Sequence, residues 1–175
     1  MNEVIKALKE RRSIRQFKAA MPAKKDLEQI IDAGLYAANA RGEQAVITVA
    51  VTDKTLRDKL AVLNCEIGGW EAGYDPFYGA PVILIVLGNK DWANRVYDGS
   101  LVMGNMMLAA HSLGLGSIWI HRAKEEFEKP EWQKLLAALG VKGEWEGIGH
   151  LAVGYIDGEV PPPAPRRENR VFWIG

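Results

Sequence analysis

The stretch PVILIVLG, residues 81–88, constrains the fold more than any other part of the chain. Six apolar, largely β-branched residues stand between a proline and a glycine, which is the pattern of a buried strand and too short for a buried helix. A strand of this kind needs other elements to cover it. AVITVAVT (45–52) is a second β-branched run, GSIWIH (116–121) a short third strand and IGHLAVGY (148–155) the last of the core. Between them the apolar period changes to that of helices. Asn2 caps a helix running to about Arg12, with Val4, Ile5 and Leu8 on one face. Pro22 opens a helix carrying Leu27, Ile30, Ile31, Leu35 and Ala38. Asp53 caps one that turns Leu56, Leu60 and Leu63 inward, and Asp98 to Leu113 forms a long helix rich in Met and Ala. A further helix starts at Pro130 and stops at Gly140. About four strands among five or six helices, with no repeat and no linker, predict one layered α+β domain over residues 1–160.

The remaining segment, 161–175, has a different character. It begins in the polyproline run of EVPPPAPRRENRVFWIG, which stays extended, and ends in the apolar VFWI, which has no neighbour in sequence to pair with. A lone apolar strand on an extended arm invites aggregation unless something covers it. Two copies exchanging arms is the simplest solution, so a symmetric homodimer is expected.

The second unusual feature is RRSIRQF (11–17), three arginines in five residues, with Lys18 following and no acid among them. The background is neutral: of 175 residues, 22 are Lys or Arg and 22 are Asp or Glu. That balance argues against a protein built to coat nucleic acid or an anionic membrane. In an extended backbone Arg11, Ser13 and Arg15 project to one side and Arg12 to the other, so one phosphate monoester could be gripped from several directions. The alternative is a solvated cationic face at a helix C-terminus, where the helix dipole favours arginine in any case.

Other chemistries find little support. GLGS (114–117) follows a helix and lacks the third glycine of a dinucleotide loop, GGWEAG (68–73) does not match it either, and no phosphate-binding P-loop occurs. His111, His121 and His150 have no partner at metal-ligand spacing, so no metal is expected. No nucleophile elbow or Ser/His/Asp signature suggests hydrolysis. Cys65 is the only cysteine, which excludes an internal disulfide and fits a reducing cytoplasm. No apolar run reaches the length of a membrane span.

ERRSIRQF resembles the opening motif of the nitroreductase family, flavoproteins that hold FMN between two subunits. The resemblance continues in order along nearly the whole chain: LEQIIDAGLYAANARGEQ (27–44), GAPVILIV (79–86), DGSLVMGNMMLAAHSLGLGSIWI (98–120), LAVGY (151–155) and PRRENRVFWI. It implies a three-layer α/β/α fold with a central mixed, largely antiparallel sheet in an arm-exchanged homodimer. It also implies that Arg11, Arg12, Ser13 and Arg15 meet the flavin's phosphate, ribityl chain and ring edge. Asn39 and Gln44 of the partner's 38–44 loop would lie over the ring, Trp119, Ile120 and His121 along it, and Arg166 or Arg167 would return to the phosphate.

The chain departs from the family's Pro-Ser-Ala-x-Asn-x-Gln-Pro-Trp loop, with Asn39 in place of Ser, Gly42 in place of Asn, and no Pro-Trp. The segment CEIGGWEAGYDPFYG stands where an active-site cover is expected, and Trp70, Tyr74 and Phe77 are its candidates for stacking on a flat substrate, against a place in the core or at the dimer interface. The implied activity is hydride transfer from NAD(P)H through FMN N5 to a nitroaromatic, quinone or flavin in a ping-pong cycle. A flavin-binding or storage protein with little turnover is the alternative.

Overall fold

The computed structural model describes all residues, Met1–Gly175. In chain order the elements are α1 (Glu3–Glu10), α2 (Lys24–Leu35), a short 3-10 turn (Ala40–Gly42), β1 (Val46–Val51), α3 (Lys54–Gly68), β2 (Val82–Asn89), α4 (Arg95–Ser112), β3 (Gly116–Ile120), α5 (Ala123–Phe127), α6 (Pro130–Ala138) and β4 (Trp145–Gly154). The strands form one sheet in the order β1-β2-β4-β3, every neighbouring pair antiparallel. Its mixed character comes down to one isolated parallel bridge, Ser13 to Ser117, which lays the arginine-rich segment along the β3 edge.

PVILIVLG behaves as its composition dictates. Side chains alternate across a strand, so Val82, Leu84 and Val86 face a core filled by Met103 and Met106 of α4 and Ile30 of α2. Ile83, Ile85 and Leu87 face the opposite core, filled by Leu60 of α3, Phe127 of α5 and Leu136 of α6. All six are fully buried, each worth about 1.5–3 kcal/mol relative to exposure. Two helices on one face and three on the other make the three layers.

Element ends differ from the sequence expectation for local reasons. Asn2 caps α1 through Ile5 N–H at 2.9 Å, but the helix stops at Glu10, because the chain beyond it extends to donate from Ile14 N–H to Ser117 O at 3.1 Å. Asp53 caps α3 as expected, through Leu56 N–H at 2.8 Å. That helix runs on through Gly68, past the last inward leucine, and ends at Gly69 with φ +68°, where Trp70 N–H donates to Cys65 O at 3.2 Å. Pro22 stands just outside α2, α4 starts three residues before Asp98, and α5 is too short to produce a readable period. No helix is long and apolar enough to cross a membrane.

The apolar surface is uneven. No residue of α1 is buried, and its Val4, Ile5 and Leu8 are 45–61% exposed. Leu35 and Tyr36 at the end of α2, and Val96, Tyr97 and Leu101 on the outer side of α4, are exposed as well. Residues 161–175 form no helix or strand, and Phe172, Trp173 and Ile174 are 82–102% exposed.

Candidate functional site

Arg11, Arg12 and Ser13 lie together where α1 ends and the chain meets β3. Arg12 Nη1 donates to Lys9 O at 2.7 Å and Arg11 O at 2.6 Å, which fixes that guanidinium on the backbone. Arg12 Nε and Arg11 Nη1 are buried and have no acceptor, and neither side chain is part of an ion pair. Burial, and behind it the charge of Arg12, hold the Arg11 guanidinium below its ordinary value. Two adjacent cations with buried, unused N–H groups are a donor set suited to an anion. That donor set fits the phosphate of FMN.

Arg15 is exposed, and its charge is the least of the influences on the Tyr74 phenol. A hydrogen bond to Tyr78 is the main cause that pushes Tyr74 up, with burial and the Asp75 charge adding to it and Arg15 opposing it. Trp70 and Tyr74 have ring centroids 5.1 Å apart, and Tyr78 stands edge-on to Tyr74 at 6.4 Å. At the other end Arg122 lies over the Trp70 ring at 4.2 Å. Phe77 does not belong to this group. It is fully buried against His150 and the Arg57 guanidinium, because Arg57 Nε donates to Ala80 O at 2.9 Å and Asp75 pairs with the same guanidinium, drawing the 75–80 turn onto the core. As a substrate contact Phe77 is therefore corrected to a core residue.

Trp119 and His121, with rings 5.9 Å apart, line an open cleft of about 740 Å³ together with Arg122, Lys124 and Glu146. The buried Trp119 Nε1 has no acceptor. Ile120 points the other way: its side chain is 7% exposed and joins the core, and it does not line the cleft.

The 39–44 loop uses its polar groups on itself. Asn39 Oδ1 accepts from Gln44 N–H at 3.0 Å, and Asp98, 3% exposed, accepts from Ala40 N–H at 3.1 Å and from Trp92 Nε1 at 2.8 Å. Gly42 has φ +70°, which explains a glycine where the family carries a side chain; Arg41 and Gln44 hold similar left-handed angles at φ 58° and 48° without that freedom. Arg166 donates only to Ala164 O, and it and Arg167 are exposed on the arm with no hydrogen bond or ion pair to the 11–15 segment.

Several residues at the site carry no sequence signal. Arg122 reaches Trp70 from a left-handed position, φ 80°, at the start of α5. Beneath it, fully buried His150 and Glu126 share a hydrogen bond of 2.6 Å, and Asn64 Nδ2 donates both to Glu126 at 2.8 Å and to His121 O at 2.9 Å. This network ties α3, α5 and β4 to the turn that presents His121 and Arg122. Only the burial of three scattered polar residues gives it away, and burial cannot be read from their spacing.

The profile of the Nitroreductase family matches residues 8–66 and 69–155. A putative NADH dehydrogenase/NAD(P)H nitroreductase of Methanothermobacter thermautotrophicus is 30% identical over 121 residues, covering 67% of this chain and 60% of that protein. The FMN reductase [NAD(P)H] of Bacillus subtilis is 29% identical over 140 residues, 67% of this chain and 53% of that protein. The chain thus spans little more than half the length of these two relatives. In structure it is similar to a nitroreductase with bound FMN from Bacteroides fragilis, with a TM-score of 0.90, 26% identity and 100% of both chains covered. The ordered motifs, the antiparallel sheet between two helical layers and the unneutralised arginine pair at its edge converge on one assignment: the chain belongs to the nitroreductase family.

Proposed function

We propose that the chain binds FMN between two copies of itself and works as an NAD(P)H-dependent oxidoreductase for a flat acceptor. The observation that carries this reading is the Arg11–Arg12 pair, with buried N–H groups unused and no carboxylate to neutralise it. The FMN bound in the Bacteroides fragilis structure and the activity named for the Bacillus subtilis relative support it.

Each residue then has a physical task. Arg11 and Arg12 hold the phosphate through charge-assisted hydrogen bonds, and the Ser13 hydroxyl adds a donor. Arg15 lies toward the ring edge and stabilises negative charge that develops there, as donors do in an oxyanion hole. Trp119 and His121 border the ring, while the partner's Asn39–Gln44 loop closes over it. When bound, FMN supplies the redox step, accepting a hydride at N5 from NAD(P)H and passing two electrons to the acceptor that takes the reductant's place. The exposed apolar faces of α1, α2 and α4 meet their copies in a homodimer, and the 161–175 arm crosses to the partner, carrying Arg166 or Arg167 toward its phosphate. A single free, buried thiol at Cys65 suits a cytoplasmic location.

The decisive preparation is the purified chain with added FMN: a yellow protein that retains flavin through gel filtration and bleaches with NADH or NADPH supports the reading, and a chain indifferent to flavin removes it. A second reading, flavin binding with little turnover, is favoured by Asn39, whose side chain is committed within its own loop. Steady-state oxidation of NADH and NADPH with nitroaromatic, quinone and flavin acceptors separates the two, since a storage protein bleaches once and then stops.

A further inference from the structure

The mechanism above leaves Arg122 without a task. Its guanidinium is half-buried, has no carboxylate partner and lies 4.2 Å above the Trp70 ring. It is held there by the left-handed backbone at φ 80°, by the start of α5 and by the Asn64 hydrogen bond to the preceding His121 carbonyl. It also lines the cleft that holds Trp119 and His121. From Arg122 an aromatic row runs through Trp70 to Tyr74, tilted by 59°, and on to Tyr78, edge-on at 87°. An unpaired, half-buried guanidinium seated on an indole beside an open cleft suits a flat molecule that carries negative charge.

The acids that line the cleft with Arg122 do not cancel this charge, and Glu66 lies in the neighbouring pocket with Trp70 and Tyr74. Glu146 is occupied by Arg95 at 3.1 Å, and Asp75 is occupied by Arg57. Glu125 is free but is balanced by Lys124 beside it on α5, leaving Arg122 as the net charge of the cleft wall. An arginine already flattened on an indole keeps its edge N–H groups for a carboxylate, so little side-chain freedom is lost when one binds.

We infer that Arg122, stacked on Trp70, selects planar aromatic acceptors bearing a carboxylate or phenolate over neutral ones of the same shape. This deepens the FMN reading of the same cleft and rests on it.

The test compares 4-nitrobenzoate with its neutral isostere 4-nitrobenzamide on the FMN-loaded chain. The unaltered chain should favour the benzoate in kcat/KM, and Arg122→Gln should lower that ratio about tenfold, through KM, as expected for a half-buried charge-assisted pair. Arg122→Lys should recover part of the ratio at low salt and lose it at high salt. Trp70→Leu, which keeps the charge but removes its platform, should lower the ratio less. Equilibrium dialysis of the two nitroaromatics against the same proteins gives the same comparison without turnover. A ratio near one in the unaltered chain, or one that Arg122→Gln leaves in place, overturns the inference while FMN reduction itself stands. A change confined to NADPH against NADH also overturns it, because the anion recognised is then the reductant's phosphate. A chain that takes up no FMN removes the parent reading instead, and dialysis still decides the question for Arg122.

Discussion

Two arginine-bearing segments meet opposite ends in the protomer. Residues 11–17 are drawn onto the sheet edge: Ile14 and Phe17 are buried in the core, Ser13 bridges to Ser117, and Arg11 and Arg12 are partly buried with N–H groups to spare. Residues 161–175 carry the same kind of arginine and a stronger apolar run, yet they touch the core nowhere and leave Phe172, Trp173 and Ile174 in water. The difference lies in what each segment can pair with. The first pairs with the edge strand β3 through Ser13 and Ser117, whereas the second, leaving β4 beside Gln16 and Phe17 through a stiff proline run, forms no bridge of its own. In the proposed dimer one chain therefore holds half of the anion site and lends the other half to its partner.

If that contrast is sound, the largest loss comes from its ordered side. Arg11→Gln or Arg12→Gln should weaken FMN binding about 10- to 100-fold each, read by flavin fluorescence titration, because each removes a hydrogen bond to a charged group worth about 1.5–3 kcal/mol. The displayed side should come next. Trp173→Asp together with Phe172→Asp should shift the chain from dimer to monomer in sedimentation and reduce FMN retention with it, since each buried aromatic contributes about 1.5–3 kcal/mol. An intact dimer would show that the α1, α2 and α4 faces suffice without the arm.

The loop between these regions gives smaller effects. Asp98→Ala leaves Ala40 N–H and Trp92 Nε1 without an acceptor. At about 1–3 kcal/mol for a buried unpaired group, thermal unfolding should move down by several degrees. Gly42→Ala should cost least, about 1–2 kcal/mol, because φ +70° strains any Cβ although nothing lies within 4 Å of it. If Gly42→Ala instead disturbs flavin binding strongly, the loop presses on the ring more closely than its composition suggests.

How much could be read in advance follows the same division between local and distant determinants. The strand at 81–88 and the caps Asn2 and Asp53 are legible because composition and neighbouring residues decide them. Arg11, Arg12 and Ser13 come as one short segment, so its docking places all of them together. The choice between substrate contact and core stays open for Phe77 in the sequence because YDPFYGA holds three aromatics in five positions, and only the Arg57 clamp on Asp75 and Ala80 decides which of them turns inward. Arg122 was missed because its reach depends on a left-handed turn and on α5, which is too short to leave a period. The Asn64–Glu126–His150 network was invisible for a related reason: three polar residues on three elements carry no pattern until the fold brings them together.

The most direct measurement mixes two altered chains. One carries Arg11→Gln and Arg12→Gln with its arm intact, and the other carries Arg166→Gln and Arg167→Gln with its N-terminal segment intact. Each alone should bind FMN poorly. If the arm completes the partner's site, refolding them together should restore tight binding in about one site in four, the share that random pairing of a two-fold dimer allows. No restoration on mixing, with heterodimers present, would mean that every chain supplies its own phosphate ligands, and the exchanged-arm account would be wrong.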